Sequence, residues 1–180
     1  MIEHKIDVSH LDEVGSACDA ITIDIQYSAG EQQVILNGKN VNDFIRTETV
    51  SEMSSKISAI PEVREKLLSL QRSLAAAENV IMDGRDIGTH VLPNADVKIF
   101  LTADAHVRAV RRYEEFIAKG VSCTLENVER EVIERDERDM NRAIAPLKQA
   151  EDAVRVDTSA MTIEEVVCYL KNLIGQAVAR

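Results

Sequence analysis

Three short apolar runs in the second half of the chain constrain its fold more than any other feature. They are VIMDG at 80–84, VKIFLTA at 97–103 and VRVDTS at 154–159. Each is followed by loop residues and, sooner or later, by a helical pattern, and strands that alternate with helices are typical of a parallel sheet. The sequence therefore predicts an α/β layer here, with the three runs as its parallel strands.

The first half of the chain has a different pattern. In ITIDIQY the apolar residues occupy alternate positions, which is the period of a half-buried strand. Asn37-Gly38 is a strong hairpin-turn signal. Residues 21–46 therefore predict a small antiparallel sheet, and a capping box at Thr49 and Glu52 predicts the start of the helix that follows it.

The helices of the second half also have recognisable ends. Thr102 or Asp104 is suited to cap the helix after the second parallel strand, and Gly120 is suited to end it. Thr162 and Glu165 form a capping box for the last helix. The predicted order is thus strand, helix, helix, strand and helix after residue 97.

The charge balance excludes several classes of function. The 180 residues include 31 acidic and 21 basic side chains, for a net charge of −10, and only 3% are aromatic. General nucleic-acid or anionic-membrane binding needs a cationic face, and base stacking needs aromatic platforms. No apolar run approaches the ~18 residues of a membrane span, and MIEHKIDVSH lacks the apolar stretch of a signal peptide. We expect a cytoplasmic protein with no nucleic-acid and no membrane partner.

The cysteine and histidine patterns predict neither a disulfide framework nor a protein-built metal site. Cys18, Cys123 and Cys168 are odd in number and far apart. The four histidines show no H-E-x-x-H spacing. We therefore assign no metal ligands from the sequence.

The arginines are concentrated in one part of the chain. Seven of the 13 lie between Arg108 and Arg142. Helical spacing brings them onto two faces: Arg108, Arg111 and Arg112 on one helix, and Arg135, Asp139 and Arg142 on the next. Two such faces in an acidic protein indicate a pocket for a polyanion, because the guanidinium group pairs with phosphate oxygens. Ion pairing with the interleaved glutamates is the other interpretation of the same pattern.

A second cluster, DGRDIGT at 83–89, directly follows the first predicted parallel strand. Ligands of open α/β sheets bind at the carboxyl ends of the strands. Asp83 and Asp86 flank Arg85 there, and two glycines allow the backbone to approach a ligand. We interpret the loop as part of a binding site; a plain turn with a local Asp–Arg pair is the alternative.

One motif that a nucleotide kinase should carry does not occur in the 180 residues. A Walker A loop, G-x-x-x-x-G-K-[ST], holds the ATP phosphates through its backbone amides and its lysine. None of the seven glycines begins that pattern, and Gly84 and Gly88 have the wrong spacing and no lysine.

From about Val34 onward the chain resembles the bacterial cytidylate (CMP) kinase family. The most specific segments are DGRDIGT, the AIPEVR segment and RAIAPLKQAEDA, and the first thirty residues fit more loosely. The resemblance implies transfer of a phosphoryl group from ATP, with Mg²⁺, to CMP or dCMP. It also implies a three-layer α/β fold of the P-loop nucleoside-monophosphate-kinase type with a small antiparallel monophosphate-binding insert.

The same resemblance implies a domain division. Residues 1–20 and 79–180 would form the α/β core, with a mobile lid at about 112–142. Residues 21–78 would form the nucleoside-monophosphate-binding insert.

Site residues carry over position by position. Arg85 and Arg142 would hold the monophosphate, and Arg135 and Asp139 would hold the sugar. Cytosine would be read by residues that match its amine and its ring acceptors, namely Ser55, Arg64 and Asp86. Asp83, in the same loop as Asp86, is also predicted to bind the substrate. Thr47 would line the cleft. The lid arginines that would neutralise the transferred phosphoryl group are Arg108, Arg111 and Arg112.

The departure from the family lies in the Walker A loop and the first strand that precedes it, which this chain lacks. Phosphoryl transfer depends almost wholly on positioning and charge, so we expect the 180 residues alone to bind CMP without transferring phosphate. The predicted parallel sheet is incomplete: without that first strand, the strands predicted at 80–83 and 97–101 would leave unpaired edges or close on each other. The alternative function is a non-catalytic nucleotide-binding or interaction fragment, a homodimer that pairs these edges.

Overall fold

The computed structural model describes residues 1–178, except for the side chains of Glu48, Ser55 and Val178. It consists of two compact units, Met1–Ile81 and a second that begins at Met82. None of the described helices is long and apolar enough to cross a membrane.

The first unit combines three helices with an antiparallel sheet. Its elements are α1 (Leu11–Asp19), β1 (Ile23–Ser28), β2 (Glu31–Leu36), β3 (Lys39–Asn40), α2 (Glu48–Ile57) and α3 (Pro61–Ala77). The three strands pair antiparallel in the order β1-β2-β3. The turn between β2 and β3 has φ +50° at Asn37 and +79° at Gly38, as a two-residue hairpin loop requires. The predicted antiparallel sheet is confirmed.

Helix α1 packs on α3. Val14 and Cys18 of α1 form a small core with Ile60 and Val63, and all four are buried. The first helix thus belongs to the Met1–Ile81 unit by its packing. The predicted limits of the nucleotide-binding insert, residues 21–78, stay a prediction.

The capping box predicted for α2 is wrong. Thr47 is the N-cap: its backbone is extended, with φ −96° and ψ 156°, and its hydroxyl accepts a hydrogen bond from the Val50 N–H at 3.3 Å. Thr49 already lies inside the helix. An N-cap must have non-helical dihedral angles, so the earlier threonine takes that place.

The second unit alternates strands with helices. It contains one π-helical turn (Ile87–Val91), β4 (Ile99–Thr102), α4 (Ala105–Ala118), α5 (Leu125–Asn141), β5 (Val154–Asp157) and α6 (Ile163–Val178). β4 and β5 pair in parallel, with Ile99 beside Val154 and Leu101 beside Val156. This arrangement confirms an α/β fold with a parallel pair of strands joined by helices.

Three predicted helix ends are confirmed: the start and the end of α4 and the start of α6. The Asp104 carboxylate accepts hydrogen bonds from the first amides of α4, and Gly120 has the left-handed φ of +74° that ends it. Thr162 and Glu165 bond reciprocally at the start of α6, at 2.8 and 3.2 Å, which is the capping-box geometry.

The first predicted parallel strand, 80–84, is wrong. No residue of this run belongs to a strand, and the Ile81 side chain is 92% exposed. A strand needs a neighbour to pair its backbone N–H and C=O groups. In the described part of the chain β4 pairs with β5 and no strand pairs with 80–84, so this apolar run is not part of a sheet.

Candidate functional site

The loop after residue 82 meets the end of α5. The Arg85 Nε donates to Oδ2 of Asp139 at 3.1 Å. One residue further along, Asp86 lies 3.5 Å from the Arg142 guanidinium, and both of these side chains are largely shielded from solvent. The two sequence clusters that predicted a binding site, more than 50 residues apart, therefore form one cluster in the structure.

Helix α5 positions its half of this cluster by helical periodicity. Arg135 and Asp139 lie one turn apart, with 3.9 Å between the Arg135 Nε and Oδ2 of Asp139. Arg142 is the C-cap with an extended backbone, and its Nε donates to the Ala145 carbonyl at 2.6 Å. The Leu147 N–H donates to the Asp139 carbonyl at 2.8 Å and folds the following loop back onto the helix. The end of α5 is thus fixed where Arg142 reaches Asp86.

Positive charge exceeds negative charge in this cluster. Asp139 is shared by Arg85 and Arg135. Burial lowers the pKa of the Arg135 guanidinium, and the charges of Arg85 and Arg112 lower it further, whereas Asp139 raises it. Arginine nevertheless stays charged in proteins. A half-buried group of guanidinium cations with too few carboxylates favours an added anion, and phosphate is the anion that the guanidinium fork fits.

The three predicted lid arginines make different contacts. Arg108 pairs with Asp136 through two hydrogen bonds of 3.1 and 2.6 Å. Arg111 donates to the backbone carbonyls of Thr158 and Met161 at 2.7 and 3.2 Å. The Arg112 guanidinium lies over the Phe116 ring, 5.0 Å from its centroid, and its buried Nε has no hydrogen-bond partner. Only Arg112 is near enough to the cluster to affect the pKa of Arg135.

The remaining predicted residues are Asp83 in the second unit and Thr47, Ser55 and Arg64 in the first. Asp83 is exposed, and none of the described hydrogen bonds or ion pairs joins it to the cluster. In the first unit, Arg64 donates from Nη1 to the Ser58 carbonyl at 3.1 Å, and Thr47 caps α2. The side chain of Ser55 is outside the described part of the chain. Their roles in binding cytosine or lining the cleft stay predictions.

Sequence reasoning missed two residues that support the site. Asp136 binds Arg108, and the buried Thr158 joins β4 to β5 by donating its hydroxyl to the Thr102 carbonyl at 3.1 Å. Asp136 follows Arg135 directly in the sequence, and Thr158 lies in the DTS segment at the end of β5. Neither local pattern shows which distant group the Asp136 or Thr158 side chain contacts.

The described residues were compared with the ligand groups that metal ions need. No cluster of three or more His, Cys, Asp or Glu side chains occurs in the part of the chain that is described. The carboxylates of the cluster, Asp86 and Asp139, face arginines. No residue described here is therefore assigned as a ligand of Mg²⁺.

Together, the parallel strands with helical connections and the arginine-rich cluster define an α/β protein with a concentrated group of guanidinium side chains at the end of α5. Comparison with known proteins agrees: a family model described as cytidylate kinase matches residues 1–176. The chain belongs to the cytidylate kinase family, and the resemblance noted from the motifs is confirmed.

Three curated relatives illustrate the extent of the similarity, and each is a cytidylate kinase. The protein of Carboxydothermus hydrogenoformans is 52% identical over 155 residues, which cover 85% of this chain and 70% of the relative. That of Lactobacillus johnsonii is 45% identical over 176 residues, 97% of this chain and 76% of the relative. That of Bacillus cytotoxicus is 42% identical over 179 residues, 99% of this chain and 80% of the relative.

Proposed function

We propose that this chain binds CMP or dCMP in the cluster between the 83–86 loop and the end of α5, as part of phosphoryl transfer from ATP. The main support is that four side chains predicted as site residues from two separate segments contact one another in pairs. These side chains are Arg85, Asp86, Asp139 and Arg142. Membership of the cytidylate kinase family supports the choice of substrate.

The roles follow from charge and hydrogen-bonding capacity. Arg85 and Arg142 hold the monophosphate, whose two negative charges outcompete single carboxylates for these guanidinium groups. Asp139 accepts hydrogen bonds from the sugar hydroxyls, and Arg135, whose Nε lies 3.9 Å from that carboxylate, holds the sugar with it. Binding thus exchanges the Arg85–Asp139 and Asp86–Arg142 contacts for contacts with the nucleotide.

The base is read by complementarity with cytosine. Cytosine presents an amine donor at position 4 and acceptors at N3 and O2, so a carboxylate suits the amine and a guanidinium suits the acceptors. Asp86, Arg64 and Ser55 are assigned to this task by the family resemblance. Uracil reverses the pattern at N3 and position 4, and buried groups left unpaired by a wrong base can reject it by ~10⁴-fold.

The ATP side of the reaction depends on cationic groups and on the Walker A loop. Of the three lid arginines, Arg112 is proposed for the transferred phosphoryl group, because Arg108 and Arg111 already bind protein oxygens. Mg²⁺ enters with the ATP phosphates. Since the 180 residues contain no Walker A motif, they are proposed to bind CMP in the cytoplasm without transferring phosphate by themselves.

Calorimetric titration of the 180-residue chain with CMP, UMP and AMP tests the binding proposal. CMP is expected to bind more tightly than either of the others. Arg142→Gln should weaken CMP binding at least about tenfold, because one charge-assisted contact contributes roughly 1.5–3 kcal/mol. Arg130→Gln makes the same charge change at an exposed position of α5 and should stay within about twofold.

Two results would contradict the proposal. An equal loss of CMP affinity in Arg142→Gln and Arg130→Gln would show that CMP does not bind at Arg142. If none of the three nucleotides binds, a purely structural or dimeric fragment is favoured, and sedimentation would reveal the dimer. A coupled ADP-release assay with CMP and ATP addresses catalysis separately: robust turnover by the 180-residue chain would refute the predicted inactivity.

A further inference from the structure

The two halves of α5 are held in the fold by different kinds of contact. Its first half packs on α4 through apolar side chains: Val128 and Val132 are buried against Ala109, with Leu125 and Phe116 partly buried beside them. Beyond Val132 no residue of α5 belongs to an apolar cluster among the described residues. The half of the helix that carries the proposed nucleotide contacts is therefore not fixed by a hydrophobic core.

Polar contacts hold this second half instead. Asp139 is joined to Arg85, Arg142 at the end of the helix is joined to Asp86, and Asp136 is joined to Arg108. The first two contacts consist of groups that the proposed nucleotide itself engages. When CMP binds, those groups exchange their partners, so they cannot at the same time be the anchors of the helix.

The Arg108–Asp136 pair has the geometry of an anchor. Nη1 and Nη2 of Arg108 each donate to one carboxylate oxygen of Asp136, which fixes both the distance and the plane of the two groups. The Arg108 Nε donates to the Ala103 carbonyl, just beyond the end of β4, at 2.9 Å. All three nitrogens of the guanidinium thus bind protein oxygens. Arg108 links the carboxyl end of β4 to α5 by this double contact.

We infer that Asp136, held by Arg108, is a positioning residue that keeps the Arg135, Asp139 and Arg142 side of α5 directed at the 83–86 loop. It does not touch the nucleotide. Asp136 is one residue from Arg135 and therefore about 100° round the helix from it. A fixed carboxylate at this position sets the rotation of the helix, and that rotation decides where the nucleotide-binding side points. This inference rests on the proposed CMP site.

A second polar contact between the same helices provides a matched control. His106 of α4 lies 3.0 Å from Glu129 of α5. Glu129 is in the first half of α5, which the apolar cluster already holds. Glu129→Gln and Asp136→Asn each remove one negative charge that faces α4, but only the second change affects the half that carries the site.

Two measurements on the 180-residue chain test the inference. Calorimetry with CMP should show at least a fivefold higher Kd for Asp136→Asn and less than a twofold change for Glu129→Gln, at a temperature where both remain folded. Without nucleotide, the side-chain Nε–H signals of Arg85 and Arg142 in NMR spectra should move in Asp136→Asn and stay in place in Glu129→Gln. A role in stability alone would lower Tm in Asp136→Asn and leave both the Kd and these signals unchanged.

The outcomes separate this inference from the proposed function. If the unaltered chain does not bind CMP, the proposed function fails, and the NMR signals alone decide whether Asp136 positions the cluster. If Asp136→Asn does not fold, Asp136→Glu replaces it, because it keeps the charge and displaces the carboxylate by one methylene. The double change Arg108→Gln with Asp136→Asn should weaken CMP binding no more than either single change. The inference would be overturned if the losses of CMP affinity in the two single variants added up in the double variant. It would also be overturned if Asp136→Asn gave the same NMR signals and Kd as Glu129→Gln.

Discussion

The two halves of α5 differ in how they are held, and the difference separates stability from recognition. The first half is fixed by burial of Val128 and Val132 against α4. The second half is fixed by charged pairs around Asp136, Asp139 and Arg142. Apolar burial is non-directional and stabilises the helix pair at modest geometric cost. Charged pairs contribute less when partly exposed, but they fix directions and can exchange partners with a ligand.

This arrangement suits the proposed role of α5 in binding an anionic nucleotide. Apolar residues at positions 135, 139 and 142 would extend the hydrophobic anchor but remove the charged groups that the proposed phosphate and sugar contacts need. A polar anchor throughout would leave the α4–α5 hairpin without a core. Placing the core at the loop end and the arginines at the other end satisfies both requirements within the 17 residues of one helix.

The largest expected effect is the loss of the apolar half. Val128 is 2% exposed, and Val128→Ala removes two buried methyl groups and leaves a small cavity. We expect about 2 kcal/mol of lost stability, measured by urea unfolding. CMP affinity, measured well below the unfolding transition, should stay within about twofold, because the second half of α5 keeps its polar contacts.

Ile133→Ala is the matched control for this change. Ile133 lies on the same helix and is 42% exposed, so its truncation should cost no more than about 0.5 kcal/mol. Equal losses of stability in the two variants would show that the first half of α5 is not held by the apolar cluster. A large loss of CMP affinity in Val128→Ala would show that the two halves are not separate in function.

The sequence was sufficient where local rules decide the outcome. The hairpin at Asn37-Gly38 needs two positive φ values, and the cap at Asp104 needs a short side-chain acceptor; both are properties of adjacent residues. The family resemblance implied that Arg85 and Asp139 lie close together, because it assigned both the 83–89 loop and one face of α5 to the binding of the same nucleotide.

The sequence was insufficient where the structure of a segment depends on contacts with residues far away in the chain. VIMDG at 80–84 has the composition of a strand, but composition does not supply the neighbour that its backbone needs. Asp136 is one of several acidic residues on α5, and only the packing of α4 against α5 brings it to Arg108, 28 positions away. In both cases the missing information concerns distant contacts, which spacing along one element does not contain.

Salt should sharpen the contrast between the two halves of α5. Raising the ionic strength shortens the screening length from about 10 Å at 0.1 M to about 3 Å at 1 M. The charged pairs of residues 135–141 should weaken, whereas the apolar contacts of residues 126–132 should not. Amide hydrogen exchange of the 135–141 segment is expected to accelerate roughly fivefold relative to the 126–132 segment. The earlier half of the same helix is the internal control, and equal changes in both halves would contradict the assignment.

The smallest expected effect concerns the His106–Glu129 contact, which supplements the apolar half. The hydrogen bond and charge of Glu129 raise the pKa of His106 above the usual value for histidine, and the charge of Asp104 raises it further. Because the folded-state pKa is raised, the protonated pair stabilises the hairpin fully below about pH 6.5, and this contribution disappears as pH rises through the folded-state pKa.

The midpoint of urea unfolding should therefore change more between about pH 5.5 and about pH 8.5 for the unaltered chain than for His106→Gln. His4→Gln, which replaces an exposed histidine, is the control. The difference should be small because both side chains are partly exposed. A stability advantage of the unaltered chain over His106→Gln that grows with pH would show that the imidazole does not bind Glu129 as a cation.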